Sequence, residues 1–258
     1  MDKTQQSWIC SYFGSSDYYG RAYTAMGLLG QKETNEELSG VLNLLQPKSG
    51  SHILDWCGGW GRHAVPLAKR GFKLTILDFS KDYLERAEAY AKKEGVNLDM
   101  VHADFRETPP DIQANYAVNL FTAGLGYLSE SDDLAALRSL HAALKPKARI
   151  FIDTMSLFWI VRNWRDDNWV LSLDGTKRHL HKRVFDFWRN RTTDEGIFQD
   201  IATGSEENRS TEISFYSPAQ LANVLRTAGF DPQELFGGFD GAPFTLDSKR
   251  LIMIAQKH

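Results

Sequence analysis

Cysteine is scarce in this 258-residue chain: Cys10 and Cys57 are the only two, too few for a disulfide framework. A large excess of charge of one sign is missing as well. Lys and Arg number 30 and Asp and Glu 33, a formal net charge of −3, which gives no general attraction to nucleic acid or anionic lipid. No apolar run approaches the roughly 20 residues that a membrane span needs. The opening MDKTQQSW has no apolar core of signal-peptide length, so the cytoplasm is the expected address. There is no internal repeat and no low-complexity segment. The remaining composition, 42% hydrophobic and 24% charged, suits a globular chain with one sizeable α/β core, most economically one domain with an insertion.

The richest stretch is HILDWCGGWGRHAVPLAKRGFKLTILDFS at 52–80. An apolar run ends in Asp55, Gly58, Gly59 and Gly61 follow, and a second apolar run ends in Asp78: strand, glycine turn, helix, acidic strand end. Glycines at such a turn let backbone approach a ligand closely, and free N–H groups at a helix start donate to anions. An acid closing the next strand is placed to accept both hydroxyls of a ribose. The unit predicts an adenosine-containing cofactor. Gly59 to Ala64 also fits the G-x-G-x-x-G/A fingerprint of nicotinamide and flavin enzymes, with Asp78 nineteen residues after Gly59. Asp55 weighs against that match. A carboxylate there suits the ammonium of a methionine moiety and repels a pyrophosphate.

From His52 onward, strands (52–56, 73–78, 98–102, 115–121, 148–154) alternate with helices (61–70, 81–94, 132–144), which predicts a parallel sheet covered on both faces. Ligands of such sheets sit beyond the strands' carboxyl ends, here a rim of Asp55, Asp78, Asp104, Phe121 and Thr154. Residues 1–30 carry many aromatics, interrupted by Gly14, Gly20, Gly27 and Gly30, and read as a mobile lid. A helix is expected to start at Thr34, which with Glu37 forms a capping box. Residues 156–215, with four tryptophans and turns at 174–175, 194–196 and 203–205, predict an antiparallel insertion. Ser217, Pro218 and Gln220 cap the last helix, Gly229 closes it, and strands near 234–239 and 249–256 finish the sheet.

The 52–80 stretch resembles the first motif and following acidic strand end of class I S-adenosylmethionine-dependent methyltransferases. VHADFR at 101–106, NLFTAGLGYL at 119–128, LKPKARIFID at 144–153, YSPAQLANVLRTAGF at 216–230 and the chain's final strand extend the likeness, and DYYGRAY at 17–23 resembles the lid of amino-sugar N-methyltransferases. The resemblance implies a seven-stranded Rossmann-like α/β sheet, mostly parallel with a reversed last strand. It further implies S-adenosyl-L-methionine as cofactor, S-adenosyl-L-homocysteine as product, and methyl transfer to an N or O atom of a small molecule. In that reading the lid spans 1–30, the cofactor-binding core 31–155, an insertion forming the acceptor pocket or a subunit contact 156–215, and a closing helix and strand pair 216–258. A homodimer stays open. Implied cofactor contacts are Tyr19, Arg21, Asp55, Cys57, Gly58, Gly59, Gly61, Asp78, Phe79, Ala103, Asp104, Phe105, Asn119, Leu120 and Phe121. Departures are Cys57 where a glycine is usual, tolerable if its φ stays negative, a longer loop after Phe121, and Ser214 where relatives have Arg.

A hydroxyl acceptor profits from a base near neutral pKa, whereas a neutral amine needs none. His63, His102 and His141 read as structural. His179 and His181 share one face of a strand with Arg183, a face expected to be solvated; Tyr19 and His181 are the catalytic candidates, and Arg21, Tyr127, Tyr216 and Asp240 further pocket candidates. Six Lys/Arg against one Asp over 177–191 could mark an RNA footprint. The alternatives are therefore an RNA methyltransferase, a non-methylating S-adenosylmethionine-binding protein and a nicotinamide-dependent oxidoreductase.

Overall fold

The computed structural model describes residues 3–13 and 17–258; within the expected lid, positions 1, 2 and 14–16, Gly14 among them, lie outside the described residues. Two sheets organise the chain. The larger has seven strands in the order β10-β11-β5-β4-β1-β2-β3: β1 (His52–Trp56), β2 (Lys73–Asp78), β3 (Asp99–His102), β4 (Ala114–Asn119), β5 (Leu144–Met155), β10 (Phe230–Phe236) and β11 (Arg250–Lys257). Only β11 runs against its neighbours, which gives the expected reversed last strand. Near-continuous apolar runs such as ILDW and LTILD fit strands buried on both faces. One face packs α6 (Glu130–Ala142) and α8 (Pro218–Thr227), burying Leu137, Leu140, Leu221 and Leu225. The other packs α3 (Gln31–Leu45), α4 (Ala64–Lys69) and α5 (Lys81–Glu94), burying Leu38, Val41, Leu67 and Ala87.

The second sheet is the insertion: β6 (Asp167–Leu171), β7 (Lys177–Asp186), β8 (Arg191–Asp200) and β9 (Glu206–Ser214) form an antiparallel meander after α7 (Leu157–Arg162). On it rest α1 (Lys3–Phe13) and α2 (Tyr18–Ala25), through a cluster of Trp8, Tyr12, Tyr18, Ala22 and Phe198.

Several local expectations are corrected. The first core helix starts at Gln31, not Thr34: Thr34 Oγ1 donates to Gly30 O (2.8 Å), and Glu37 accepts from Arg62 (2.6 Å) instead of closing a capping box. Gly20 does not interrupt α2 but sits inside it, because the Asp17 side chain folds back against a position where a Cβ would overlap it. Residues 194–196 are strand, with the turn at 187–190. Asp194 must face His181 and Arg183, and Gly196 leaves room for His179 and Tyr18. Strand β10 begins at Phe230 because Gly229, at φ 97°, completes the turn alone. Ser217 and Gln220 do form the reciprocal cap on α8.

Candidate active site

The glycine turn starts where β1 ends. Cys57 takes φ 63°, not the negative value expected of it, and Gly59 and Gly61 follow at 56° and 77°. A left-handed non-glycine residue costs roughly 1 kcal/mol, which the turn's bonds to the sheet offset: Gly58 N donates to Leu77 O (3.1 Å) and Gly59 N to Asp78 Oδ2 (2.9 Å). Left-handed φ at these three alternate positions does not continue into a helix, so α4 starts only at Ala64, later than the expected residue 61.

Asp78 closes β2 with each carboxylate oxygen taking one backbone N–H, from Gly59 and from Ser80 (2.9 Å each). Each oxygen keeps a second lone pair. Burial pushes its pKa up to about 6, against the pull of those two bonds. Asp55, 1% exposed, has its pKa raised by burial, opposed by His63, Arg62 and the Ala64 N–H. Its Oδ2 has no hydrogen-bond partner among the described residues. A buried carboxylate oxygen left unpaired costs free energy, so it calls for a donor from outside the chain.

Both acids line a cavity of about 340 Å³ over the carboxyl rim of the sheet, a size in the range of small-molecule sites. Cys57, Gly58, Gly59, Phe79, Asp104, Phe105, Leu120 and Phe121 line it as well, and so does Tyr19 from α2. Asp104 is fully engaged locally: it caps a short turn by accepting from Arg106 N and pairs through both oxygens with the Arg106 guanidinium, which holds its pKa down against burial. Phe105 packs edge-on to Trp56, ring centroids 5.4 Å apart.

Other implied contacts lie off the cavity wall. Arg21 pairs with Glu207 (2.5 Å) on the outside of the lid. Gly61 is covered by Ile76, Val65 and Ala87. Ala103 continues the β2 edge by donating to Asp78 O, and Asn119 ties Trp56 O to Ala123 O (2.9 Å each), bracing the rim from below. His181 is away from the cavity too, bound to Asp194 at 2.9 Å. Its face is not solvated: His179 is 4% exposed, bonds the Tyr18 hydroxyl (2.9 Å), and burial drives its pKa down to about 3. Tyr216 hydrogen-bonds Asp133, Asp240 is exposed, and neither reaches the cavity, whereas Tyr127 does. The insertion, expected to wall the pocket or meet a second subunit, supplies no lining residue; it backs the lid instead. Of the six cations in the expected basic footprint, Lys177 pairs with Asp200, Arg183 with Asp194 and Arg191 with Glu212 on their own sheet, while Arg178 bonds the neutral Gln199.

Sequence reasoning missed Trp60, Arg62, Tyr83 and Arg106, which also line the cavity. Arg62 is held by Glu37 (2.6 Å) and Thr34 (3.0 Å), while its guanidinium stands 5.3 Å from the Phe121 ring centroid. The one available signal was a cation directly after the last glycine of the turn. The lid meets this wall through Tyr19 against Trp60 (6.0 Å) and through Asp17, which accepts from Tyr83 Oη (3.1 Å) and Arg86 (2.7 Å).

A parallel sheet that opens such a cavity beyond the ends of its central strands belongs to the nucleotide-binding α/β class. Within that class, residues 53–147 match the family model described as a methyltransferase domain. A tRNA 5-carboxymethoxyuridine methyltransferase of Escherichia coli (strain K12) is 28% identical over 134 residues, 51% of this chain and 49% of that protein; the chain thus spans about half the length of this curated relative. The CcbJ methyltransferase of Streptomyces caelestis superposes with a TM-score of 0.76 at 16% identity, over 86% of this chain and 89% of that one. CalS10, an amino pentose methyltransferase from Micromonospora echinaspora with S-adenosylmethionine bound, gives 0.69 at 17% identity over 93% and 97%. At these identities the two structures share the fold.

Proposed function

We propose that this protein transfers a methyl group from S-adenosylmethionine to a nitrogen or oxygen atom of a small-molecule acceptor. The unpaired, buried Oδ2 of Asp55 carries the reading. Beside a glycine turn and one strand from Asp78, it asks for a cationic donor, and the ammonium of a methionine moiety is one. The two spare lone pairs of Asp78 suit ribose hydroxyls, and Phe105 offers an apolar face to an adenine. Arg62, fixed by Glu37, adds a cation on the same wall.

The bound cofactor supplies an electrophilic methyl carbon: the acceptor's lone pair forms the new bond as the carbon–sulfur bond breaks, leaving a thioether, and the acceptor's proton passes to solvent. The chain's own contribution is placement and exclusion of water. Tyr19, Phe121 and Tyr127 close the cavity opposite the acids. Burial raises the Tyr19 and Tyr127 phenols, so both stay protonated. Tyr19 is the residue we assign beside the reacting atoms, as an orienting hydroxyl and not a base. The pairing of Lys177 and Arg183 with carboxylates of their own sheet leaves β7 less free charge for a phosphate backbone and favours a small acceptor over RNA.

Calorimetric titration with S-adenosylmethionine, S-adenosylhomocysteine and NADH tests the reading. Micromolar binding of both adenosyl ligands and none of NADH is expected; the reverse order would replace it with the oxidoreductase.

A further inference from the structure

The cavity is chemically two-sided. Its carboxylates, Asp55, Asp78 and Asp104, all come from the strand ends of the sheet, and so does Arg62 from the turn between them. The wall contributed by the lid and by the loop after β4 includes Phe13, Tyr19, Leu120, Phe121, Tyr127 and Leu128. Among the described residues that wall holds no charged side chain. Its rings are mutually packed: Phe13 stacks on Tyr127 with centroids 5.6 Å apart and 13° between planes, and Phe13 and Tyr19 are 5.0 Å apart. The phenols of Tyr19 and Tyr127 are its polar groups, and neither has a hydrogen-bond partner among the described residues.

Resting on the methyl-transfer reading, we propose that the acceptor is a neutral amine carried on a largely apolar, ring-bearing molecule. A polyhydroxylated acceptor entering this wall would give up its water for aromatic faces and two phenols, leaving most of its hydroxyls unpaired at a cost for each. A planar apolar ring loses little on leaving water and gains offset or edge contacts with Phe13, Tyr19 and Tyr127. The same wall offers an ammonium no counter-ion, since the carboxylates stand on the cofactor side. A neutral nitrogen brings its lone pair ready to attack and needs no base, and this wall provides none. A protonated phenol can accept from its N–H and leave that lone pair free.

Two probes in protein saturated with S-adenosylhomocysteine decide it by calorimetry at pH 8: 3-aminoquinoline, an apolar ring with a neutral amine, and glucosamine, a polyol amine. Sub-millimolar binding of 3-aminoquinoline, at least about tenfold tighter than glucosamine, is expected. Tyr127→Ala should weaken that binding about tenfold through loss of the ring. Equal or tighter binding of glucosamine, or no binding of 3-aminoquinoline to the S-adenosylhomocysteine complex, overturns the inference. If S-adenosylhomocysteine itself fails to bind, the methyl-transfer reading falls, and the two failures are thereby distinguished.

Discussion

Asp55, Gly59 and Asp78 come from one strand–turn–helix–strand unit, and their geometry is set by hydrogen bonds within it. The opposite wall is assembled from three remote segments: Phe13 and Tyr19 from the lid, Tyr127 from the loop after β4, and behind both the insertion sheet. Arg191 of β8, 8% exposed, joins the last two. Its guanidinium donates to Gly126 O (3.2 Å), Leu128 O (3.1 Å) and Tyr127 O (3.0 Å), and to Glu212 O and Ser214 Oγ (3.1 Å each). Asp133 holds the loop from the other side by accepting from Gly126 N (2.8 Å). One half of the cavity is thus specified by local sequence and the other by long-range contacts, so the acceptor side can change while the cofactor side stays.

The sharpest way to break this contrast is Arg191→Met. It strands four loop and strand carbonyls and leaves the partly exposed Glu212 without its partner, and a buried polar group left unpaired costs about 1–3 kcal/mol. Denaturant unfolding should show that loss. In the variant that remains folded, S-adenosylhomocysteine affinity should change less than acceptor turnover; an equal fall in both would mean the halves are not separable. Next in size is Asp78→Ala on the cofactor side. Losing charge-assisted hydrogen bonds to two hydroxyls should weaken S-adenosylhomocysteine binding by about 1.5–3 kcal/mol, read by calorimetry. Unchanged affinity would remove Asp78 from the site.

The same contrast explains what could be read from sequence. Asp55, the glycines and Asp78 were legible because a strand–turn–helix unit carries its own spacing, and the sheet followed from alternation. Arg191 was not, since a basic residue on a strand looks alike whether it faces water or three carbonyls. His179 and His181 misled for the converse reason: polar alternation marks a solvated face only if nothing covers it, and α2 does. Arg21 lies off the cavity because helical phase turns it toward Glu207, whereas Tyr19, two residues earlier, lines it. A motif places residues on an element; the packing of that element decides which of them face the ligand.

Acid titration sharpens the comparison further. Asp78, with a pKa raised to about 6, must be ionised to accept two hydroxyls, so affinity for S-adenosylhomocysteine is full above that pH. It should be lost as pH falls below about 6, approaching tenfold per unit. Asp78→Asn should flatten the profile, and a wild-type affinity constant from pH 7.5 to 5 would contradict the assignment. Unliganded stability has the opposite sign. Asp78 and Asp133, the latter raised to about 7 by burial, hold protons in the folded state that the unfolded chain gives up near the ordinary carboxylate pKa. The contribution of these two carboxyls to stability therefore declines as pH rises from about 4 toward 7, opposed over the same range by His179, which the fold keeps neutral down to about pH 3.

The smallest effect is expected where the two halves touch. Asp17 starts α2 at φ 46° and accepts from Tyr83 Oη and Arg86, both on α5 of the cofactor side. Arg86 in turn lies 4.8 Å from the Trp60 ring centroid, and Trp60 meets Tyr19. The contact therefore runs from the lid across the cavity mouth to the glycine turn. Arg86 is 45% exposed, so the ion pair contributes only about 0.5–1 kcal/mol. Asp17→Ala should leave global unfolding nearly unchanged, because the lid's apolar cluster on the insertion is untouched. Cofactor release should become about three- to fivefold faster in stopped-flow displacement. A variant with unaltered release would show that α2 is held by its contacts with the insertion alone, and that the lid belongs wholly to the acceptor half.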